Sequence, residues 1–436
     1  MQTIYLYNVS LRSSLTIITL QLLALIVNQL LNFFDVDYTY WLYALSGLSF
    51  ISAVVIELST YYNLNKAKIN KAVKQIGEIE LPSLTVAIPA RNETKDLDDC
   101  LQSLINSDYP KLEILVLDDC SQNKVTPEII RSFAHAGVRF IAGKQPPDSW
   151  LAKNYAYSQL FNEANGDLIM FCGVDTRFQP ESLKLMVKVM LEQNKQMVGY
   201  VPINIRANHS KFVANIVQPS RYCWELALPR WQFKRPPVLS TCWLITRQAL
   251  LETGDFKAIS HGHSPESFYA RQLLRHDPSS YNLYTSSEKM GLYSFKSLAE
   301  QRATAIRTRY PQLHKRPEAV VVISMVELIV LIGPLIFLAT GLLHHNLLLI
   351  FISGISSLIL IINFAQFVTL TNRKFAVLSL IMLPVAVIYD VGLLNYSMWK
   401  YEFSEVIWKG RNVCIPTMRV LPQLPNIVTP DLVQKP

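Results

Sequence analysis

The sequence predicts an α/β domain built on a mostly parallel sheet and flanked by transmembrane helices. Three observations carry that expectation. Short apolar runs at Leu84–Ile88, Leu112–Leu117 and Leu168–Cys172 each lead into polar residues, and a strand buried on both faces reads as such a run. Helical stretches such as Lys95–Ile105 and Glu181–Glu192 alternate with them, the pattern of a parallel α/β sheet. Stretches of roughly twenty uncharged residues lie on either side, long enough to cross a hydrocarbon core.

With 436 residues the chain has room for two or three domains. Half of it is hydrophobic and 17% is charged, too apolar a balance for a purely soluble protein. The net charge of +8 reads as a positive bias toward the cytoplasmic side or toward anionic lipid. No Lys/Arg run is interleaved with aromatics, which argues against nucleic acid as a partner. The six cysteines are scattered without a CxxC pair, which argues against structural zinc and a disulfide framework.

Residues 1–60 are expected to form a transmembrane hairpin. Leu15–Phe34 carries no charge, Asp35-Val36-Asp37 forms a short link, and a second apolar run extends from Tyr40 to Ile56. A basic linker, 61–81, contains Lys66, Lys68, Lys71 and Lys74 and is expected on the cytoplasmic side. Residues 82–317 have the composition of a soluble α/β domain. Within 318–398, three more apolar runs follow at Ala319–Leu343, Leu347–Val368 and Phe375–Met398. The first contains Glu327 and the last Asp390, each costly in lipid and expected to face protein or water. The tail, 399–436, poses a parity conflict. With the domain inside, three crossings place Lys400, Lys409 and Arg411 outside, unless one run is re-entrant or lies in the interface.

The candidate chemistry falls at the ends of the strand-like runs, where open α/β sheets bind ligands. The first run continues as Pro89-Ala90-Arg91-Asn92-Glu93, and the second ends on Asp118-Asp119. Carboxylates there can accept paired hydrogen bonds from a ribose diol or a base N–H. The third run leads through Gly173 and Val174 to Asp175, and Mg²⁺ or Mn²⁺ takes one or two carboxylates together with substrate phosphates. Lys153, in Trp150-Leu151-Ala152-Lys153-Asn154, can counter diphosphate charge. Glu266, in Ser264-Pro265-Glu266-Ser267-Phe268-Tyr269-Ala270-Arg271, is a candidate base. His261 and His263 flank it without further spaced ligands, so a metal role for them is not expected.

Taken in order, these segments resemble the GT-A, family-2 glycosyltransferases, whose fold is a Rossmann-like, mostly parallel nucleotide-diphospho-sugar transferase sheet. The Trp150–Asn154 element and the tail Trp408-Lys409-Gly410-Arg411 resemble those of the membrane-bound, lipid-directed members that act on ceramide, hopanoid and carotenoid acceptors. The resemblance implies that Pro89, Glu93, Asp118 and Asp119 hold the nucleoside and that Lys153 meets phosphate or acceptor. It also implies that Asp175 holds the divalent metal and that Glu266 is the general base of an inverting transfer. The expected reaction moves one sugar from a nucleotide sugar, expected to be UDP-linked, to a lipid hydroxyl. The expected place is a bacterial inner membrane, with the domain cytoplasmic.

The chain departs from the family pattern at four points. Gly173 replaces the first Asp of the D-x-D turn, weakening the metal site. Pro265 and Glu266 stand in place of an E-D pair, and Ala152 stands in place of a glycine. The Q-x-x-R-W element of processive members is reduced to Arg309-Tyr310, so a single transfer is expected rather than polymer synthesis. These departures also suit an alternative reading, a catalytically inactive relative that serves as a binding or regulatory partner.

Overall fold

Strand β1 (Leu84–Ala90) is buried along nearly its whole length, so its apolar residues serve both faces of the sheet. In this computed structural model, residues 38–69, 80–204, 214–227, 236–371 and 377–414 are described; the run Leu15–Phe34 lies outside them. β1 pairs in parallel with β2 (Leu112–Asp118) and β4 (Leu168–Cys172), and β2 with β3 (Val138–Ala142). Beyond β4 the sheet continues through β8 (Cys242–Thr246), β6 (Met197–Val201) and β9 (Tyr281–Thr285). Only β8 is antiparallel to its neighbours. The seven-stranded order β3-β2-β1-β4-β8-β6-β9 is the expected mostly parallel sheet.

A second small sheet orders β5 (Thr176–Phe178), β10 (Leu292–Ser294) and β7 (Ile203–Asn204). Its β5–β10 pair sets Asp175 beside Ser294. The predicted strands β2 and β4 appear where the apolar runs stand, and β1 extends two residues past its run. The predicted helices become α2 (Lys95–Ile105) and α5 (Ser182–Glu192), with Glu181 directly before the latter.

Aromatic residues fill the core on one side of the sheet. Phe171 stacks on Trp243 with ring centroids 4.5 Å apart, and Trp243 stacks on Tyr269 at 6.0 Å. Helix α4 (Ala152–Glu163) joins this core through Tyr157, 4.7 Å from Phe171. The first turn of α4 is thereby fixed on the sheet.

Four helices among the described residues are long and apolar enough to cross a membrane: Thr39–Ala67, Pro317–Leu343, Leu347–Leu370 and Ile381–Phe403. Their large exposed side chains, among them Ile51, Leu58, Phe351 and Ile388, form an apolar surface of the kind that lipid covers. The first, α1 (Tyr38–Ala67), runs eleven residues past the predicted end at Ile56 and reaches the α/β domain. There Lys66 and Ala67 carbonyls accept from Asn282 and Thr285. The second is a composite of α10 (Pro317–Glu327), a π turn at Leu328–Ile332, and α11 (Gly333–Leu343). Pro334 offers no N–H to the carbonyl of Val330, four residues earlier, so the ladder loosens at that point.

Packing contacts bear on the parity conflict. Helix α13 (Ser379–Phe403) lies against α9 (Leu298–Gln312) of the α/β domain. Arg309 pairs with Asp390, the Tyr401 hydroxyl donates to the Arg307 carbonyl at 2.8 Å, and the Tyr310 hydroxyl donates to Glu402. Asp390, expected to face protein or water, is buried in that ion pair. The tail after α13 packs on the same domain from which α10 departs. The sequence left the side of the tail open, and the structure packs the tail hairpin against the α/β domain through Lys409 and Arg411.

Candidate active site

The site lies beyond the carboxyl ends of β1, β2 and β4. Each strand delivers a polar loop there because its pairing ends at that point. Asn92 and Cys120, directly after β1 and β2, both have left-handed backbones (φ 49° and 52°), a conformation that clusters where structure holds functional loops. The Asn92 side chain secures the turn, accepting from the Gln122 amide at 2.8 Å. Arg91 is buried and donates to the carbonyls of Asp119 and Cys120 at 2.5 and 2.7 Å, locking the two loops together.

Asp118 is half-buried and accepts from the Ser121 amide at 3.2 Å. Asp119 is buried, and Arg411 Nη1 donates to both of its carboxylate oxygens, at 2.8 and 2.6 Å. Glu93 is likewise buried and pairs with Lys409. Pro89 lies half-buried within β1, opposite Leu117. Burial pushes both the Glu93 and Asp119 carboxyls above the ordinary range, outweighing the opposing pull of Lys409 and Arg411.

Both cations come from the tail hairpin, β11 (Ile407–Trp408) and β12 (Arg411–Asn412). Its turn residues Lys409 and Gly410 both have positive φ, 47° and 77°, as a two-residue primed turn requires. The Lys409 carbonyl accepts from Arg91 at 3.0 Å and from Asn92 at 3.1 Å. A Cβ on Gly410 would lie 3.0 Å from the Gln122 side chain, so this close approach favours glycine.

Lys153 and Glu266 meet across the cleft, Nζ to Oε2 at 3.4 Å. Glu266 is buried at the first turn of α8 (Pro265–His276), where Pro265 takes the first helical position that proline favours. The neighbouring element positions the loop ahead of this turn. Asn154 donates to the Ile259 and Gly262 carbonyls, each at 2.7 Å, and the Leu151 amide donates to Ser260 at 2.9 Å. Asn154 is thus a fastener between α4 and the Glu266 loop. Burial lowers the Lys153 ammonium below its ordinary range, against the raising effect of Glu266.

Asp175 is half-buried beside the small sheet, where Ser294 donates to its Oδ2 at 3.0 Å. Its other oxygen occupies the space that a Cβ on residue 173 would fill. One carboxylate therefore stands where the D-x-D turn would hold two. Among the described residues, no group of three or more His, Cys, Asp or Glu side chains is gathered for a metal. The donor set fits a cation held by Asp175 and completed by diphosphate oxygens, and it does not fit an all-protein cage.

Two cationic residues here, Arg307 and Lys296, were not singled out from sequence. Arg307 and Arg411 line a cleft of about 240 Å³ together with Trp150, Lys153, His263 and Trp408. Arg307 lies over the Trp408 ring at 4.9 Å. Arg307 and Lys153 also line the adjoining gap that contains Glu266. Lys296 lies within electrostatic reach of Asp175, and burial chiefly lowers its ammonium to about 8. Arg307 sits in the zone of the reduced Q-x-x-R-W element, and that position was the only sequence signal for it.

Residues 85–254 match the family described as Glycosyl transferase family 2. Over 192 residues the chain is 30% identical to a probable glycosyltransferase, YdaM, of Bacillus subtilis, covering 42% of this chain and 45% of that one. Over 140 residues it is 32% identical to a 4,4'-diaponeurosporenoate glycosyltransferase of Staphylococcus haemolyticus, covering 32% and 35%. The matches span less than half the length of these curated relatives. Among solved structures, a mannosyltransferase of Pyrobaculum calidifontis in complex with GDP-Man and Mn²⁺ aligns with 79% of this chain and 99% of that one. It does so at 15% identity and a TM-score of 0.44.

Proposed function

We propose that this chain, which carries a family-2 glycosyltransferase domain, moves a single sugar from a nucleoside-diphosphate sugar to the hydroxyl of a membrane lipid. The donor is UDP-linked, the outcome is inversion, and the domain faces the cytoplasm of a bacterial cell, on its inner membrane. The observation that carries the reading is the Lys153–Glu266 pair, whose gap adjoins the cleft lined by the tail hairpin that covers Asp119.

In this reading Asp118, Asp119 and Glu93 hold the nucleoside beside Pro89, and the hairpin shifts to admit it. Glu266 accepts the proton of the acceptor hydroxyl as the oxygen attacks the anomeric carbon. The bond from that carbon to the diphosphate oxygen breaks, and its electron pair leaves with the diphosphate. Lys153, Arg307 and Lys296 meet the charge that develops there. A divalent cation on Asp175 would supply further neutralisation of the same leaving group. Exclusion of water by Trp150 and Trp408 favours the lipid hydroxyl over hydrolysis.

The test is turnover by the full chain in nanodiscs, with a panel of radiolabelled nucleotide sugars and a total lipid extract. A radiolabelled lipid that disappears with Glu266→Gln is the expected result. No transfer from any donor, together with an unchanged cellular glycolipid profile on deleting the gene, would sink the reading in favour of an inactive binding partner.

A further inference from the structure

A cavity of about 490 Å³ lies between the α/β domain and the membrane helices. Its walls are mainly apolar. Ile56 comes from α1, Val330 from the π turn, Leu360 and Phe364 from α12 (Leu347–Thr371), and Leu383 from α13. The volume falls within the range of ligand pockets, and at about 30 Å³ per water-sized group it accepts roughly sixteen such groups. That is room for one extended hydrocarbon chain. The π turn at Leu328–Ile332 forms part of this wall, and such turns inside α-helices are frequent at functional sites.

The cavity also leads toward Glu266. Glu225 and Gln312 line its domain end, and the same two residues line a small gap bounded by Arg221 and Thr308. Arg221 and Thr308 in turn line the space around Glu266 and Lys153. Three small spaces thus share walls in sequence, from the membrane helices to the candidate base. The polar end carries both signs of charge. Glu225, Glu327 and Asp390 line the cavity with Arg271 and Arg316, and the adjoining gap adds Arg221 and Arg309, the last paired with Asp390.

We infer that this cavity is the acceptor's chain-binding site, taking one apolar tail of a lipid whose head is uncharged and bears the reacting hydroxyl. The inference rests on the reading of the chain as a lipid glycosyltransferase, which it extends by placing the acceptor and stating its class. The tail lies against Val330 and Phe364, and the head passes Glu225, Gln312 and Thr308 to reach Glu266. A phosphate head is disfavoured, because the cavity itself is lined by three carboxylates against two guanidinium groups, and Arg309 of the adjoining gap is already paired.

The experiment uses the full chain in nanodiscs with a monoacylglycerol that carries a diazirine in its chain. A phosphatidic acid with the same chain is the charged comparison. Crosslinked peptides are mapped in the wild type, in Val330→Trp and in Ile323→Trp, the second variant guarding against misfolding of the first. The expected result is labelling of 323–331 and 360–364 by the monoacylglycerol, reduced at least tenfold in either variant and weaker for the phosphatidic acid. Labelling elsewhere, or equal labelling in wild type and both variants, would overturn the site. Stronger labelling by the phosphatidic acid would overturn the head class. Because crosslinking needs no turnover, the site is tested even where the transferase reading fails. With an active protein, the acceptor KM rises in both variants.

Discussion

Arg411 Nη1 donates to both carboxylate oxygens of Asp119, across 292 residues of sequence and the whole of the C-terminal helical segment. The tail hairpin is thereby fastened onto the strand end that the sequence marks as nucleoside-binding. Asp119 is only 4% exposed, and burying a carboxylate is costly unless a partner compensates it. Arg411→Ala leaves that carboxylate without its guanidinium. The expected loss is about 2–3 kcal/mol, at the lower edge of the range for broken buried pairs, because Arg411 keeps some access to water. Thermal unfolding of the α/β domain, followed by tryptophan emission, measures it. A midpoint equal to wild type would mean that the hairpin is not docked in solution.

In the proposed reaction Glu266 is the base. Glu266→Gln keeps the volume and removes the base, so kcat is expected to fall by about 10²–10⁴-fold, with the dissociation constant for the nucleotide little changed. Glu266→Asp withdraws the carboxylate by about one bond length from a position set by the Asn154 fastening of the 259–262 loop. Displacement on that scale is costly where reacting groups must be aligned, so the aspartate variant is expected to be slower than wild type despite its matching charge. A fully active Glu266→Gln protein in a single-turnover assay would remove Glu266 from the mechanism.

The strands were legible because their apolar runs are short, unbroken and bounded by turn residues, and β2 and β4 begin at the first residues of their runs. The acids at their ends were legible for the same reason, since a carboxylate directly after a buried run has to lie at the edge of the sheet. The hairpin's role was not. Nothing local in Trp408-Lys409-Gly410-Arg411 says that its cations reach Glu93 and Asp119, because that depends on how α13 packs. Asp390 stood out as a charge in an apolar run, yet its partner Arg309 lies in a helix of the soluble domain. The packing of α13 on α9 follows from that long-range pair, which hydropathy counting does not register.

His263 lines the cleft beside Lys153, and its Nε2 is buried without a hydrogen-bond partner in the structure. Burial, reinforced by Lys315 and Arg307, pushes its imidazole down to about 3. The folded pKa is thus depressed below the unfolded value of about 6.5. The unfolded chain binds more protons between these two values, so stability from this group is complete above pH 6.5 and is lost progressively as pH falls toward about 3. His263→Phe is expected to flatten the midpoint-versus-pH curve between pH 6.5 and 4. An equally steep curve in the variant would refute the assignment. Turnover is likewise expected to show no inflection from His263 between pH 6 and 8.

Gly173 marks the position where the family pattern has an acid, and a simple expectation would be that Gly173→Asp strengthens the metal site. The geometry argues the reverse. A Cβ at residue 173 meets the Asp175 carboxylate, which must then rotate away and give up the 3.0 Å hydrogen bond from Ser294. The stability cost is modest, about 1 kcal/mol for one hydrogen bond, because a side-chain end moves and no backbone does. In the proposed reaction the functional cost is larger, since Asp175 is the carboxylate that would share a cation with the diphosphate. Gly173→Ala and Gly173→Asp are therefore both expected to raise the Mn²⁺ concentration needed for half-maximal donor binding, by about tenfold. Titrating Mn²⁺ against binding of a fluorescent nucleotide measures this. Tighter Mn²⁺ dependence in Gly173→Asp would show that the two carboxylates can share the turn, and that glycine at 173 is not what holds Asp175 in place.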